Sequence, residues 1–237
     1  MLRFRPLWAF TFASAVLFAI LVGLGVWQLE RLQWKLALIA EVHRHLAEPP
    51  ISLSKAMSLG AAAEYRHVAL TGRFDNAKEA YVFSTGAGGG EVYHVVVPFH
   101  VEGGGTVPVD RGIVPKEKLD PKTRRPGQLA GIVYLIGVWR TPDAPGFFTP
   151  APDRAHRIWY ARDLKGIAAA DGVRFAAPVL VEADAAPNPG GWPKGGQTVV
   201  AFRNEHLQYA ITWFGLAVVL LAVYVAYHVS RGRLSLR

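Results

Sequence analysis

The chain has 237 residues, no cysteine, a formal net charge of +8 and a sequence pI near 9.9. Without cysteine there are no disulfides and no thiolate metal sites. The basic excess comes with no basic helix, zinc finger or aromatic stacking motif, so it needs no nucleic-acid partner and none is expected.

In chain order, residues 1–6 carry Arg3 and Arg5 and lead into Leu7 to Leu29, an uncharged run reading LWAFTFASAVLFAILVGLGVWQL. A membrane-spanning helix needs roughly 20 predominantly apolar residues, so residues 7–29 are predicted to span a bilayer. A cleaved signal peptide would have an apolar stretch of about 7–15 residues ending at a small-residue site. The one good site, Ala13-Ser14-Ala15, comes after too few apolar residues, and the run ends at Gln28, Glu30 and Arg31, so an uncleaved anchor is expected. No Arg- and Ser-rich, acid-poor transit leader stands ahead of it. From Arg31 to about His45 the apolar spacing stays helical, until Pro49-Pro50 stops it.

Short strand-like runs follow: Tyr65 to Phe74, Glu79 to Phe83, Tyr93 to Val101, Thr106 to Val114, Leu129 to Trp139, Arg157 to Tyr160 and Ala177 to Val181. One helix is predicted over Ala161 to Ala170, and a loop over Asp184 to Gln197. Many short strands separated by glycine and proline turns predict one mainly-β α+β domain over 30–205, its antiparallel sheet curled into a barrel or small sandwich. The glycine-rich pieces GAGGG (86–90) and GGG (103–105) lack the strand, helix and Gly-Lys-Ser/Thr of a phosphate loop, so they read as hairpin turns.

A second uncharged run, Ala210 to Val229, is preceded by Arg203, Asn204, Glu205 and His206. This predicts a second span over 206–229 and a tail over 230–237 carrying Arg231, Arg233 and Arg237. Lys/Arg excess marks cytoplasmic flanks, so both termini are expected inside and the domain outside, a hairpin-like N-in/C-in arrangement. Arg31 and Lys35 lie on the wrong side for a simple count, which a long translocated domain tolerates. In a bacterium this describes a multi-pass inner-membrane protein with a periplasmic domain.

Few residues point to catalysis. There is no Gly-x-Ser-x-Gly elbow. His43 and His45 fall on different helix faces, and His94 and His100 share a strand face by parity but lie six residues apart. Asp110-Arg111 reads either as a site or as an adjacent ion pair ending a strand. The two membrane borders are more informative. Trp27, Arg31 and Trp34 are spaced i, i+4, i+7, with Lys35 beside them; His206, Tyr209, Ala210 and Trp213 are spaced i, i+3, i+4, i+7. Both stripes are expected at one depth. An interfacial aromatic belt explains the tryptophans. His206 fits either that belt or a ligand to haem iron, with the rings flanking the plate and Arg31 or Lys35 meeting a propionate. Covalent attachment is excluded, because no CxxCH is present.

GVWQLERLQWK (25–35) and NEHLQYAITWFGLA (204–217) resemble the Surfeit locus protein 1 family of cytochrome oxidase assembly factors, as do YRHVALTGRFD, YHVVVPF, VPVDRGIVP and RIWYARDL, in order over essentially the whole chain. One departure is Ile113, where the family carries Trp after Arg-Gly. The resemblance implies two transmembrane helices bracketing one external domain, and an assembly factor with no enzymatic activity. It implies delivery of haem a to cytochrome c oxidase subunit I, with haem a bound transiently through His206 as axial iron ligand. Trp27, Gln28, Arg31, Tyr209 and Trp213 are added to the pocket by helical geometry, and Asn204 is expected to hold the second ring nitrogen. Partners expected are subunit I, the enzymes of haem a synthesis and the lipid bilayer. Two other readings remain: a scaffold that docks on oxidase subunits without haem, and a membrane-anchored periplasmic enzyme built on Asp110-Arg111.

Overall fold

The computed structural model describes residues 2–86, 88–142, 144–198, 200 and 202–236, with side chains from 4 to 234. The elements run Leu2–Phe4 (β1), Trp8–Ala47 (α1), Ile51–Ser52 (β2), Leu53–Leu59 (α2), His67–Phe74 (β3), Ala80–Thr85 (β4) and Glu91–Val101 (β5). They continue with Gly105–Pro115 (β6), Val133–Arg140 (β7), Ile158–Trp159 (β8), Leu164–Asp171 (α3), Leu180–Ala183 (β9), His206–Ser230 (α4) and Leu234–Leu236 (β10). They fall into two compact units, Met1–Glu41 with Ala201–Arg237, and Val42–Val200.

The first unit is an antiparallel pair of long apolar helices. Both α1 and α4 are long and apolar enough to cross a membrane. Their seam is read from what is buried. On α1 it is Leu21, Gly25 and Gln28, spaced 4 and 3; on α4 it is Ala210, Ala217 and His228. That alternation of threes and fours is the period that keeps one stripe facing a partner helix. Small residues dominate the seam because lipid offers no hydrophobic drive, so helices gain by close approach. Gly25 shows how close: a Cβ there would stand 2.7 Å from the Phe214 ring. At the far end the Thr11 hydroxyl meets the Tyr224 hydroxyl at 2.8 Å, and β1 pairs antiparallel with β10.

The second unit is a closed five-stranded barrel in the order β3-β7-β9-β6-β5, with β5 returning to β3. β2 extends it beside β3, and β4 and β8 extend it beside β5. Closure is made where Gly72 to Phe74 meet Val101 to Phe99. Gly72 permits it, since a Cβ would fall 2.0 Å from the His100 carbonyl oxygen. The expected antiparallel barrel is present, and its one internal departure is β6 with β9, which pair parallel at Val109↔Val181. Inside lie Val68, Leu70, Phe99, Val107, Val109, Trp139 and Val181. Outside, α3 lays Leu164 and Ile167 against Ala80, Val82, Val96, Trp159 and Leu180.

The Asp163 side chain caps α3 by accepting from Gly166 N–H. α2, a seven-residue helix capped by Ser52, is not foreseen by the sequence. The strand expected from Leu129 begins only at Val133. The glycine-rich pieces do lie between paired strands, 86–90 between β4 and β5 and Gly103 and Gly104 between β5 and β6, although Ala87 lies outside the described residues.

Candidate functional site

α4 begins at His206, and its first ring is held from α1. The His206 Nδ1 stands 2.7 Å from Gln28 Oε1. An amide oxygen only accepts, so Nδ1 carries the proton and Nε2 carries the lone pair. Nε2 has no hydrogen-bond partner among the described residues. Gln28 is itself buried in the helix seam. A buried amide held on a helix aims the imidazole far more firmly than a surface side chain would. Asn204 does a different job from the one expected of it. Its side-chain oxygen accepts the backbone N–H of His206 at 3.4 Å, capping the helix start, while Gln28 takes the ring nitrogen.

The aromatic stripes coincide only in part. In an antiparallel pair, stripes that start at one level run in opposite directions. Trp27, Arg31 and Trp34 climb away from the Gln28 level, whereas His206, Tyr209, Ala210 and Trp213 descend from it. Trp34 stands about 9 Å above Gln28 along the axis and Trp213 about 10 Å below His206, at 1.5 Å per residue. The depth the stripes share is that of Trp27, Gln28, His206 and Tyr209. Ala210 belongs to the seam, being buried.

Trp27, Arg31, Trp34 and Tyr209 are exposed and Trp213 half-buried. At about 100° per residue, Arg31, Trp27 and Trp34 lie roughly 60–120° round α1 from Gln28, and Tyr209 about 60° round α4 from His206, with the same sign. On antiparallel helices, offsets of the same sign fall on the same flank of the pair. One flank therefore carries Trp27, Arg31 and Tyr209 around the imidazole. Arg31 lays its guanidinium 4.0 Å over Trp34, a cation–π contact that leaves the in-plane N–H groups directed away from the ring. Lys35 sits 5.1 Å over Phe202.

The barrel unit answers the Asp110-Arg111 question. The two do not pair with each other, because neighbouring strand residues leave on opposite faces. Asp110, on the outer face, bonds His94 Nδ1 at 2.7 Å, takes Gly112 N–H at 2.9 Å and lies 3.5 Å from Arg162. Arg162 also meets Glu182 at 3.2 Å. Burial pushes the Asp110 carboxyl up, but the opposing pull of His94, Arg162 and the Gly112 N–H holds it below the usual carboxylate range.

Arg111 turns the other way, donates to Gly127 O at 2.7 Å and Asn188 Oδ1 at 3.3 Å, and covers the Phe74 ring at 4.5 Å. Burial draws its pKa down to about 10, with Glu79 opposing. Nearby, Arg124 and Glu79 form a buried pair at 2.5 Å that Tyr81 and Gln128 join. Burial, then the Glu79 charge, pushes the Tyr81 phenol well above its ordinary range. Asp110 and the Glu79–Arg124 pair are met by opposite charge, whereas Arg111 has only neutral acceptors and the Phe74 ring, and its Nη1 is buried without a hydrogen-bond partner among the described residues.

The parity argument for His94 and His100 also needs correcting. A bulge between His94 and Val96 shifts the register, and His100 is an exposed residue bonded to Thr106. The His94–Asp110 contact is missed by reading each strand alone. The signal was present in the hairpin: pairing across 102–104 brings these two positions diagonally opposite.

A model of the SURF1 family matches residues 15–218, which takes in most of α1, the whole barrel and the first half of α4. The chain belongs to the SURF1 family. It is 40% identical to mouse Surfeit locus protein 1 over 215 residues, 82% of this chain and 67% of the mouse protein. It is 41% identical to the human protein over 218 residues, covering 82% and 69%. A SURF1-like protein of Monosiga brevicollis is 36% identical over 230 residues, covering 92% and 85%. For a SURF1 family chain, the His206–Gln28 contact lies inside the matched region.

Proposed function

We propose that this SURF1 family chain is a cytochrome c oxidase assembly factor that binds haem a through His206 and aids its delivery to subunit I. The observation that carries the reading is the Gln28-held imidazole, whose Nε2 lone pair has no partner among the described residues, on a flank that also bears Trp27, Arg31 and Tyr209. These residue types fit the group. A neutral imidazole nitrogen ligates haem iron, aromatic faces suit the macrocycle, and Arg31 suits a propionate. Gln28 fixes the tautomer and orientation, and Trp213 lies deeper on α4 as an apolar wall. A cargo that must later be released is suited by a single protein ligand.

The setting we propose is a bacterial inner membrane. Residues 7–29 and 206–229 would span it, and 30–205 would face the periplasm. Residues 1–6 and 230–237, with Arg3, Arg5, Arg231 and Arg233, would stay on the cytoplasmic side. The reading includes no catalytic role. The enzyme alternative rested on Asp110 and Arg111 acting together, and those side chains diverge onto opposite faces of β6 and bond to different partners. The scaffold reading differs only in making His206 interfacial.

The test is co-expression with the enzymes of haem a synthesis, followed by purification and an absorption spectrum of the wild type beside His206→Ala. Haem is expected in the first and lost from the second. An unchanged Soret band in the variant would leave the scaffold.

A further inference from the structure

At the end of the helix unit away from His206, the segments before α1 and after α4 are stitched together. Phe4 pairs with Leu234 across β1 and β10, and one step on, Arg5 N–H donates to Arg233 O at 2.9 Å. Phe4 lays its ring against His228, with centroids 5.5 Å apart. Alternation along the strand then sends Arg5 to the other face, and its opposite neighbour Arg233 with it. Like charges placed directly opposite repel. The helix unit holds no Asp or Glu in residues 1–29 or 206–237, so no side-chain carboxylate of its own stands at this end to relieve them. Arg231, the next cation, is turned to the Tyr227 ring at 5.5 Å.

Two further observations identify the missing anion. The first is depth. Ala210 to Val229 is uncharged and, at 1.5 Å per residue, spans about 30 Å, the thickness of a bilayer's hydrocarbon core. Arg233 follows that run by four residues and so stands in the headgroup layer, where the exposed Trp8 and Tyr227 of the same end also belong. The second is a groove. Between α1 and α4, beginning at the Thr11–Tyr224 hydroxyl contact and passing Ala15, Phe18, Leu220 and Leu221, lies an apolar groove of about 250 Å³. Thr11 is six residues from Arg5, and the groove leads from there toward the middle of the helices. Its two hydroxyls bond each other at 2.8 Å, so its lining suits hydrocarbon. Cations in the headgroup layer over an apolar groove match a ligand with an anionic head and an acyl chain.

We propose that Arg5 and Arg233 clasp the phosphate of an anionic phospholipid, one of whose acyl chains lies in the α1–α4 groove. Each guanidinium offers a fork of N–H donors suited to phosphate oxygens, and the bound charge turns a repulsive pair into a bridged one. A zwitterionic headgroup would bring a third cation to the same place, so a net negative one is preferred. The site rests on α1 and α4 spanning a bilayer and is independent of the haem assignment.

The test uses the full chain, purified in detergent and freed of lipid, and needs no haem. Phosphatidylglycerol is titrated in, with phosphatidylcholine of the same acyl chains for comparison. Native mass spectrometry reads bound lipid, and thermal unfolding reads the midpoint. One phosphatidylglycerol should bind and raise the midpoint, and phosphatidylcholine at the same concentration should do neither. Arg5→Gln and Arg233→Gln should each weaken that binding roughly tenfold or more, the effect of one lost charge-assisted contact. Without lipid both should unfold no earlier than wild type, because a repulsion has been removed. Arg174→Gln, which removes the same charge from an exposed position on the barrel unit, should leave lipid binding unchanged. Ala15→Phe, which fills the groove and spares the arginines, should weaken phosphatidylglycerol binding as well. Equal binding of the two lipids, or wild-type binding of phosphatidylglycerol by both arginine variants, overturns the proposal. Inorganic phosphate raising the midpoint as far as phosphatidylglycerol does, with Ala15→Phe without effect, overturns it in favour of a free anion.

Discussion

His206 Nδ1 and Gln28 Oε1 meet at 2.7 Å although 178 residues separate them in sequence. The contact joins two helices at one depth, and it decides the protonation pattern of the ring. A side chain that only accepts at Oε1 leaves Nε2 as the basic nitrogen. In the proposed haem site, Gln28 would orient His206 as the ligand without itself touching the iron.

Replacing Gln28 by Leu keeps the volume roughly and removes the acceptor. Haem a affinity is expected to fall by roughly ten- to a hundred-fold, the usual cost of losing such an orienting partner. His206 should remain the ligand, so the spectrum of whatever haem binds should keep its shape. A haem titration of the purified variant measures both.

The Asp110 carboxyl titrates below its ordinary value of 3.8 because His94, Arg162 and the Gly112 N–H outweigh its burial. The unfolded chain then binds that proton more readily than the folded one. This stabilisation is complete above about pH 4 and is lost as pH falls through the depressed native value. Asp110→Asn should flatten the acid limb of a stability–pH curve while lowering stability at pH 7. The check is denaturant unfolding of both proteins across the acid range.

Glu79 and Arg124 are both buried, 2.5 Å apart. Arg124→Met leaves a carboxylate in the interior with only Tyr81 and Gln128 as donors, and should cost about 3–5 kcal/mol. Adding Glu79→Gln to it should recover a large part, since the stranded charge is what costs. Thermal unfolding of the two variants separates these outcomes.

Gly112 stands at φ +109°, and a Cβ there would fall 1.9 Å from the Lys194 carbonyl oxygen. Ile113 and Lys194 exchange backbone hydrogen bonds at 3.0 Å beside it. Gly112→Ala should therefore cost about 3 kcal/mol or more, because the backbone must move on both sides. Gly88→Ala in the hairpin loop, where nothing lies within 4 Å, should be nearly neutral. Thermal unfolding of these two variants is the measurement.

Much of this was legible because it rests on local pattern. Run length set the two helices, Pro49-Pro50 marked where α1 stops, and period-2 alternation located the strands that face a core on one side. Long-range choices were not legible. Barrel closure depends on Gly72 meeting His100, and nothing within β3 announces that partner. The α1 stripe drew attention to Arg31 and the tryptophans because large residues stand out. The seam itself is made by Gly25, Ala210 and Ala217, whose value lies in being small. His206 was legible only as an unexpected polar residue at a border. Its partner Gln28 required knowing that the helices run antiparallel, which also explains why the two stripes overlap only at one end.

The central claim is that His206 Nε2 is the iron ligand. Resonance Raman spectra of the ferrous haem a complex test it most directly. The account predicts an iron–histidine stretching band in the wild type that is absent in His206→Ala and restored when imidazole is added to that variant. The same band persisting in His206→Ala without added imidazole would contradict it.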